Sequence, residues 1–163
     1  MRIHIGGDHA AYELQRALVA HLAEAGHDVV DHGPLELDPE DDYPVFVLRA
    51  AESVANEEGS LGVVLGGSGN GEQIAANKVA GIRAALAYEP ELARLARQHN
   101  DAHIVSIGAR FTAVEVAKEI VDAFVSTEFS DEPRHARRLG MVTAYETSRE
   151  LPAATQGAEG SAS

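Results

Sequence analysis

Apolar residues recur along this chain in two alternating rhythms. Short apolar runs at Arg2 to Gly6, His27 to His32, Leu61 to Leu65, Ile82 to Ala87 and Ala102 to Ile107 predict five strands. Between them the spacing changes to three and four residues. Ala11, Leu14, Leu18, Leu22 and Ala25 predict a helix that Gly26 ends. Pro44 starts a second helix from about Val45 to Glu58. Gln73 to Val79 and Glu89 to His99 predict two more, the latter with Pro90 in its first turn. Thr112 is placed to cap a helix carrying Val114, Ala117, Ile120, Val121 and Phe124, and a last helix spans about Glu132 to Glu146. The segment from Gly33 to Asp42 holds two prolines and five acids, which predicts a loop.

Strand and helix alternate five times, which predicts an α/β fold: a Rossmann-like three-layer sandwich with a five-stranded parallel sheet, helices on both faces and an extra C-terminal helix. Residues 1–148 form one domain on this reading. From Arg149 the chain is rich in Ala, Gly and Ser without an apolar period, and 149–163 is expected to be a disordered tail. Ligands of such sheets bind at the carboxyl ends of the strands. Those ends carry Asp8 and His9 after strand one, Ser68 to Glu72 after strand three, and Gly108 with Arg110 after strand five. His99 and Asn100 fall where a helix ends and turns into the fifth strand.

Composition removes several function classes. The 163 residues suffice for one domain with a core, and the formal net charge of -13 opposes general binding to nucleic acid or to an anionic membrane. Absence of cysteine excludes disulfides, thiolate catalysis and cysteine metal sites. No apolar run reaches the length of a membrane span and the N-terminus has no charged-then-apolar signal, so a cytoplasmic protein is expected.

The stretch with the most chemistry is Gly66-Gly67-Ser68-Gly69-Asn70-Gly71-Glu72. Its glycines let the backbone turn sharply and come close to a ligand, and the amides at the following helix start suit an anion. It is no dinucleotide fingerprint, since neither Gly67-x-Gly69 nor Gly69-x-Gly71 has glycine three positions on. It is no nucleoside-triphosphate loop either, since no Lys-Ser or Lys-Thr follows. The plain alternative is a tight strand-to-helix turn. Glu72 beside the amides favours chemistry, because proton abstraction next to a carbonyl needs a base and donors for the enediolate oxygen. Its plain alternative is an acid placed to favour the helix dipole, with Asn70 and Gln73 forming a capping box.

Three further groups remain open between function and structure. His99-Asn100 can close a helix or supply an acid/base histidine. His99 and His103 are four apart, but a strand starts between them and no glutamate is adjacent, so no metal site is expected. Asp8-His9 can be a helix cap and its neighbour or a polar pair at the ligand-binding end. In Arg134-His135-Ala136-Arg137-Arg138, Arg134 and Arg138 share a helix face and suit a phosphate, unless they pair with acids at a solvated surface.

Taken together, these motifs resemble the B-type ribose-5-phosphate isomerases, within the sugar-phosphate isomerase family that includes the galactose-6-phosphate isomerases of the lactose operon. The resemblance spans residues 1 to 148. It rests on Gly6-Gly7-Asp8-His9-Ala10, the Gly66 to Gly71 loop, Ala76-Asn77-Lys78 with Gly81-Ile82-Arg83-Ala84-Ala85, His99-Asn100-Asp101-Ala102 and the arginines near 134. It implies reversible isomerisation of ribose 5-phosphate and ribulose 5-phosphate, with no metal and no cofactor. By the same resemblance, His99 opens the sugar ring and Glu72 moves the proton between C1 and C2. Amides of Gly67, Ser68, Gly69, Asn70 and Gly71 hold the enediolate. Asp8, His9 and Asn100 position hydroxyls or phosphate, and Arg110, Arg134 and Arg138 bind the phosphate.

Many family members carry a cysteine base where this chain has Ser68; Glu72 matches the glutamate of the serine-bearing branch. A serine hydroxyl is too weak a base for a carbon acid, so Ser68 is assigned to the anion hole or to orienting Glu72. The resemblance also implies a homodimer or homotetramer with sites shared between chains: His99, Asn100 and Arg110 from the neighbour of the chain supplying Asp8, His9 and Glu72. Leu139, Met141, Val142 and Tyr145 of the last helix can cross to that partner or pack on their own domain. Two other functions fit the residues: isomerisation of another aldose phosphate, such as allose 6-phosphate or galactose 6-phosphate, and sugar-phosphate binding without catalysis.

Overall fold

A computed structural model describes residues 1–154. Five strands, β1 (Arg2–Gly7), β2 (Asp28–Asp31), β3 (Leu61–Gly66), β4 (Ala84–Leu86) and β5 (Ile104–Gly108), form one parallel sheet in the order β2-β1-β3-β5-β4. The helices are α1 (Tyr12–Glu24), α2 (Tyr43–Asn56), α3 (Asn70–Ala76), α4 (Pro90–Asn100), α5 (Val114–Ser126) and α6 (Pro133–Ser148). The chain leaves β1 in one direction to form β2 and places β3 on the other side of β1. The crevice for a ligand therefore lies beyond the ends of β1 and β3, where the order reverses.

Residues alternate between the two faces of the central strands. Ile3 and Ile5 of β1 with Leu61, Val63 and Leu65 of β3 pack under Leu14, Leu18 and Leu22 of α1 and Ile120, Val121 and Phe124 of α5. Val64 and Ile104 face the other way, against Val47, Ala50 and Val54 of α2 and Ala76 after the glycine turn. Each fully buried Val, Leu or Ile contributes roughly 1.5–3 kcal/mol, so the two layers clamp the sheet from both sides. The backbone that ends β1 and β3 is thereby held rigid under the site.

The alternation predicts this architecture, and the differences are local. α2 stops at Asn56, short of the expected Glu58, and β4 spans only Ala84–Leu86 of the expected Ile82 to Ala87. Ala113, not Thr112, precedes α5, and the Thr112 hydroxyl is buried without a hydrogen-bond partner among the described residues rather than capping. No capping box forms at α3: Gly69 in the left-handed region (φ 82) is its N-cap, and Asn70 is already helical. Gln73 Nε2 donates instead to the Ala84 carbonyl at 3.3 Å. The expected tail begins where α6 ends; Glu150 to Ala154 are exposed and form no helix or strand, and 155–163 lie outside the described residues.

Candidate active site

Beyond the ends of β1 and β3, Asp8, His9, Tyr43, Gly67, Ser68, Gly71, Glu72, Arg110 and Phe111 line a cavity of about 550 Å³. That size holds a small polar metabolite. Glu72 forms its floor. It stands in the first turn of α3 but turns inward, and only 3% of it is exposed. The carboxylate lies directly over Gly66: a Cβ on Gly66 would sit 1.9 Å from Glu72 Oε1. Only glycine fits there. Burial raises the Glu72 pKa first, and the neighbouring Asp8 charge adds to it; the amides of Glu72 itself and Gly69 partly oppose the rise. Oε2 is buried with no hydrogen-bond partner among the described residues. A buried, underbonded carboxyl with a raised pKa is suited to exchanging a proton near neutral pH.

The turn above Glu72 depends on Gly69, whose positive φ no L side chain adopts comfortably. The amides of Ser68 and Gly71 donate to no protein acceptor among the described residues. Ser68 Oγ accepts from Asn70 N and Asn70 Nδ2, each at 3.3 Å. Its hydrogen-bond partner is thus Asn70, and it forms no hydrogen bond to Glu72 among the described residues. Asn70 itself points toward an adjacent concavity with Leu86 and Tyr88.

Asp8 accepts from Ala10 N at 3.0 Å and caps the short 3₁₀ turn His9–Ala11, while also facing the cavity. Both readings of this residue therefore hold at once. Burial pushes its pKa up, with the Asp41 charge adding to that rise and His9 opposing it. Asp8, His9 and Asp41 bring ligand-type atoms within 4.8 Å of one another. His9 Nδ1 and Asp41 Oδ1 lie 2.7 Å apart, a hydrogen-bond distance.

A second group stands at the opposite end of the sheet. α4 runs back along the sheet, and the Asn100 carbonyl accepts from Arg83 Nε at 2.7 Å, just before β4 starts. His99 stacks on His135 of α6 with ring centroids 4.3 Å apart, and Ser130 Oγ lies 2.8 Å from His135 Nδ1. Arg134 and Arg138 are exposed on the same helix; Arg134 pairs with Glu132 at 2.9 Å. The length of β5 alone separates this group from the Glu72 cavity by about 15 Å. One chain therefore brings Asp8, His9, Gly67, Ser68, Gly71, Glu72 and Arg110 together, and keeps His99, Asn100, Arg134 and Arg138 apart from them.

Arg110 departs from the expectation that grouped it with His99. Its guanidinium lies over Gly67 of the same chain, where an added Cβ would sit 3.4 Å from Cζ. The reason is topological: Arg110 follows β5 at the same sheet end as the glycine turn, and its amide donates to the Gly67 carbonyl at 3.1 Å.

The family model described as Ribose/Galactose Isomerase matches residues 3–142. The chain belongs to this family. A Mycobacterium tuberculosis protein named ribose-5-phosphate isomerase B is 51% identical over 152 residues, covering 93% of this chain and 94% of its own length. The structure of Clostridium thermocellum ribose-5-phosphate isomerase B is similar with a TM-score of 0.87 at 41% identity, covering 92% of this chain and 100% of that one. The Mycoplasma genitalium ribose-5-phosphate isomerase B, solved with bound ribulose-5-phosphate, has a TM-score of 0.86 at 36% identity, covering 90% and 97%.

Four residues in or beside the Glu72 and His99 groups carry no distinguishing signal in the sequence. Asp41 is one acid among five in the 33–42 loop, and nothing in the spacing distinguishes it. Tyr43 and Phe111 line the cavity from just outside regular patterns. His135 sits inside the arginine run, whose charge hides it, yet it is the buried residue of α6. Its pKa is lowered by burial first and then by the charge of His99.

Proposed function

We propose that this chain interconverts ribose 5-phosphate and ribulose 5-phosphate, with Glu72 as the base. The observation that carries the reading is the Glu72 carboxyl: buried, underbonded and set beside free amides in a cavity of about 550 Å³. In the open-chain aldose, the Glu72 carboxylate takes the proton from C2. The C–H electrons form the C1=C2 bond and O1 becomes the enediolate oxygen, which the Ser68 and Gly71 amides hold. Glu72 returns the proton to C1 and the O2 proton passes to O1, leaving the C2 ketone. Each such donor is typically worth about 10²–10³ in rate.

Ring opening and phosphate binding fall to His99, Asn100, Arg134 and Arg138, supplied by a neighbouring copy in a homodimer or homotetramer. Two observations support sharing. These residues cannot reach Glu72 within one chain, and α6 is poorly covered by its own chain, with Val142 and Tyr145 exposed. No helix among the described residues is long and apolar enough to cross a membrane, and a cytoplasmic site of action is part of the proposal.

The mechanism uses the Glu72 carboxyl and backbone amides and assigns no step to a metal. Purified protein mixed with ribose 5-phosphate and a chelator is expected to form the ketose. Complete inactivity removes the assignment, and turnover restored only by a divalent cation removes the metal-free step. Arg138→Ala is expected to raise KM for the sugar phosphate by about tenfold or more through loss of a charge-assisted contact, with the melting temperature little changed. An unchanged KM contradicts the phosphate role.

A further inference from the structure

Asp41 does not line the cavity, yet its contacts converge on a residue that does. Asp41 Oδ1 accepts from His9 N at 2.9 Å and lies 2.7 Å from His9 Nδ1, so backbone and ring of one residue are held by one oxygen. The Asp41 side chain is 7% exposed, while that of His9 is 31% exposed and faces the cavity. Asp41 Oδ2 is buried with no partner among the described residues.

A buried carboxylate is stabilised by a hydrogen-bonded basic partner that can carry a charge. The titratable groups that touch His9 or line the cavity with it are Asp8 from the turn after β1, Asp41 from the 33–42 loop, Tyr43 from α2, Glu72 from α3 and Arg110 after β5. Asp8 and Glu72 are acids, and Arg110 lies over Gly67. The His9 ring is the one basic side chain hydrogen-bonded to Asp41 among the described residues. A carboxylate on Nδ1 also fixes which ring nitrogen faces outward. Nε2 makes no hydrogen bond to the protein among the described residues.

We propose that Asp41 is a positioning residue that clamps His9 in one orientation and one charge state, with Nε2–H turned into the Glu72 cavity as a donor to an anionic oxygen of the substrate. The direction of the His9 pKa agrees: it is raised, first by the hydrogen bond to Asp41 and further by the charges of Asp8 and Asp41, against an opposing effect of desolvation. Asp8 Oδ1 accepts from the Ala10 amide and caps the turn that carries His9, while the His9 ring is bonded to Asp41.

The proposal rests on the isomerase reading for its substrate, and its test separates the two. The first measurement is the titration of the His9 ring by NMR in the free protein. Asp41→Asn, which keeps the shape and removes the charge, is expected to lower the His9 midpoint. Asp41→Glu, which keeps the charge, is expected to hold it above that of Asp41→Asn. The second measurement is kinetic. Since binding uses the charged ring, kcat/KM falls as pH rises through the His9 midpoint, and in Asp41→Asn that fall begins at lower pH. KM at neutral pH is expected to rise about tenfold, the scale of a charge-assisted hydrogen bond, with kcat changing much less.

The third measurement is a cycle: in a His9→Gln background, Asp41→Asn is expected to add no further loss in KM. An unmoved His9 midpoint overturns the proposal, and so does an equal loss from Asp41→Asn whether His9 is present or not. If the wild-type protein shows no isomerase activity but the midpoint still falls in Asp41→Asn, the substrate reading fails while the clamp stands.

Discussion

Glu72→Gln is expected to lower turnover by about 10³-fold or more while sugar phosphate still binds, because the amide keeps the volume and loses the proton acceptor. The structure makes the competing explanation testable in the same variant. An acid present for the helix dipole belongs at the exposed rim of the first turn. Glu72 is 3% exposed, and its carboxyl rests on Gly66 rather than in solvent. Near-normal rates in Glu72→Gln would nonetheless return the residue to a dipole role.

The same substitution carries a stability signature. The Glu72 pKa is raised in the folded state, chiefly by burial. The folded protein therefore holds this proton more tightly than the unfolded chain. Its favourable effect is complete below the unfolded carboxyl value and is lost as pH rises through the folded one. Glutamine does not ionise, so Glu72→Gln is expected to melt a few degrees higher than the parent at pH 8, with the difference closing near pH 4. A rise in stability with a loss of rate is the pattern of a group kept for chemistry at a cost to folding. Equal melting curves across that pH range would show that the carboxyl is not penalised by its surroundings.

The fold was readable because its signals are repetitive. Five apolar runs alternating with helical spacings specify a parallel sheet, and Ile3, Val63 and Leu65 lie in the core as the period requires. Errors fall where a single residue decides the geometry. Asn70 and Gln73 match a capping box in letters, but Gly69 adopts the cap conformation one position earlier. Arg110 shows the limit of resemblance and the strength of topology. Its position after β5 predicts a place beside the glycine turn, and the structure has it over Gly67 of the same chain rather than with His99. Asp41 is illegible in the sequence because its two contacts to His9 span 32 positions, which no local pattern encodes.

The separation of Glu72 from His99 has a quantitative consequence for mixed assemblies. Glu72→Gln chains keep His99, and His99→Asn chains keep Glu72. Each variant alone is expected to be nearly inactive on the ring-closed sugar. If every site takes Glu72 from one chain and His99 from its neighbour, equal amounts of the two variants, unfolded and refolded together, regain about a quarter of the wild-type activity. The fraction follows from requiring an intact Glu72 on one side and an intact His99 on the other, each with even chance, and it is the same for a dimer and a tetramer. If both groups acted within one chain, no mixture would contain an intact site and activity would stay at the level of the separate variants. Differently tagged chains recovered together would show that exchange took place. Recovery near a quarter would then make α6, with Arg134 and Arg138 beside His99, the arm that completes the neighbour's cavity; absence of recovery in exchanged assemblies would remove site sharing altogether.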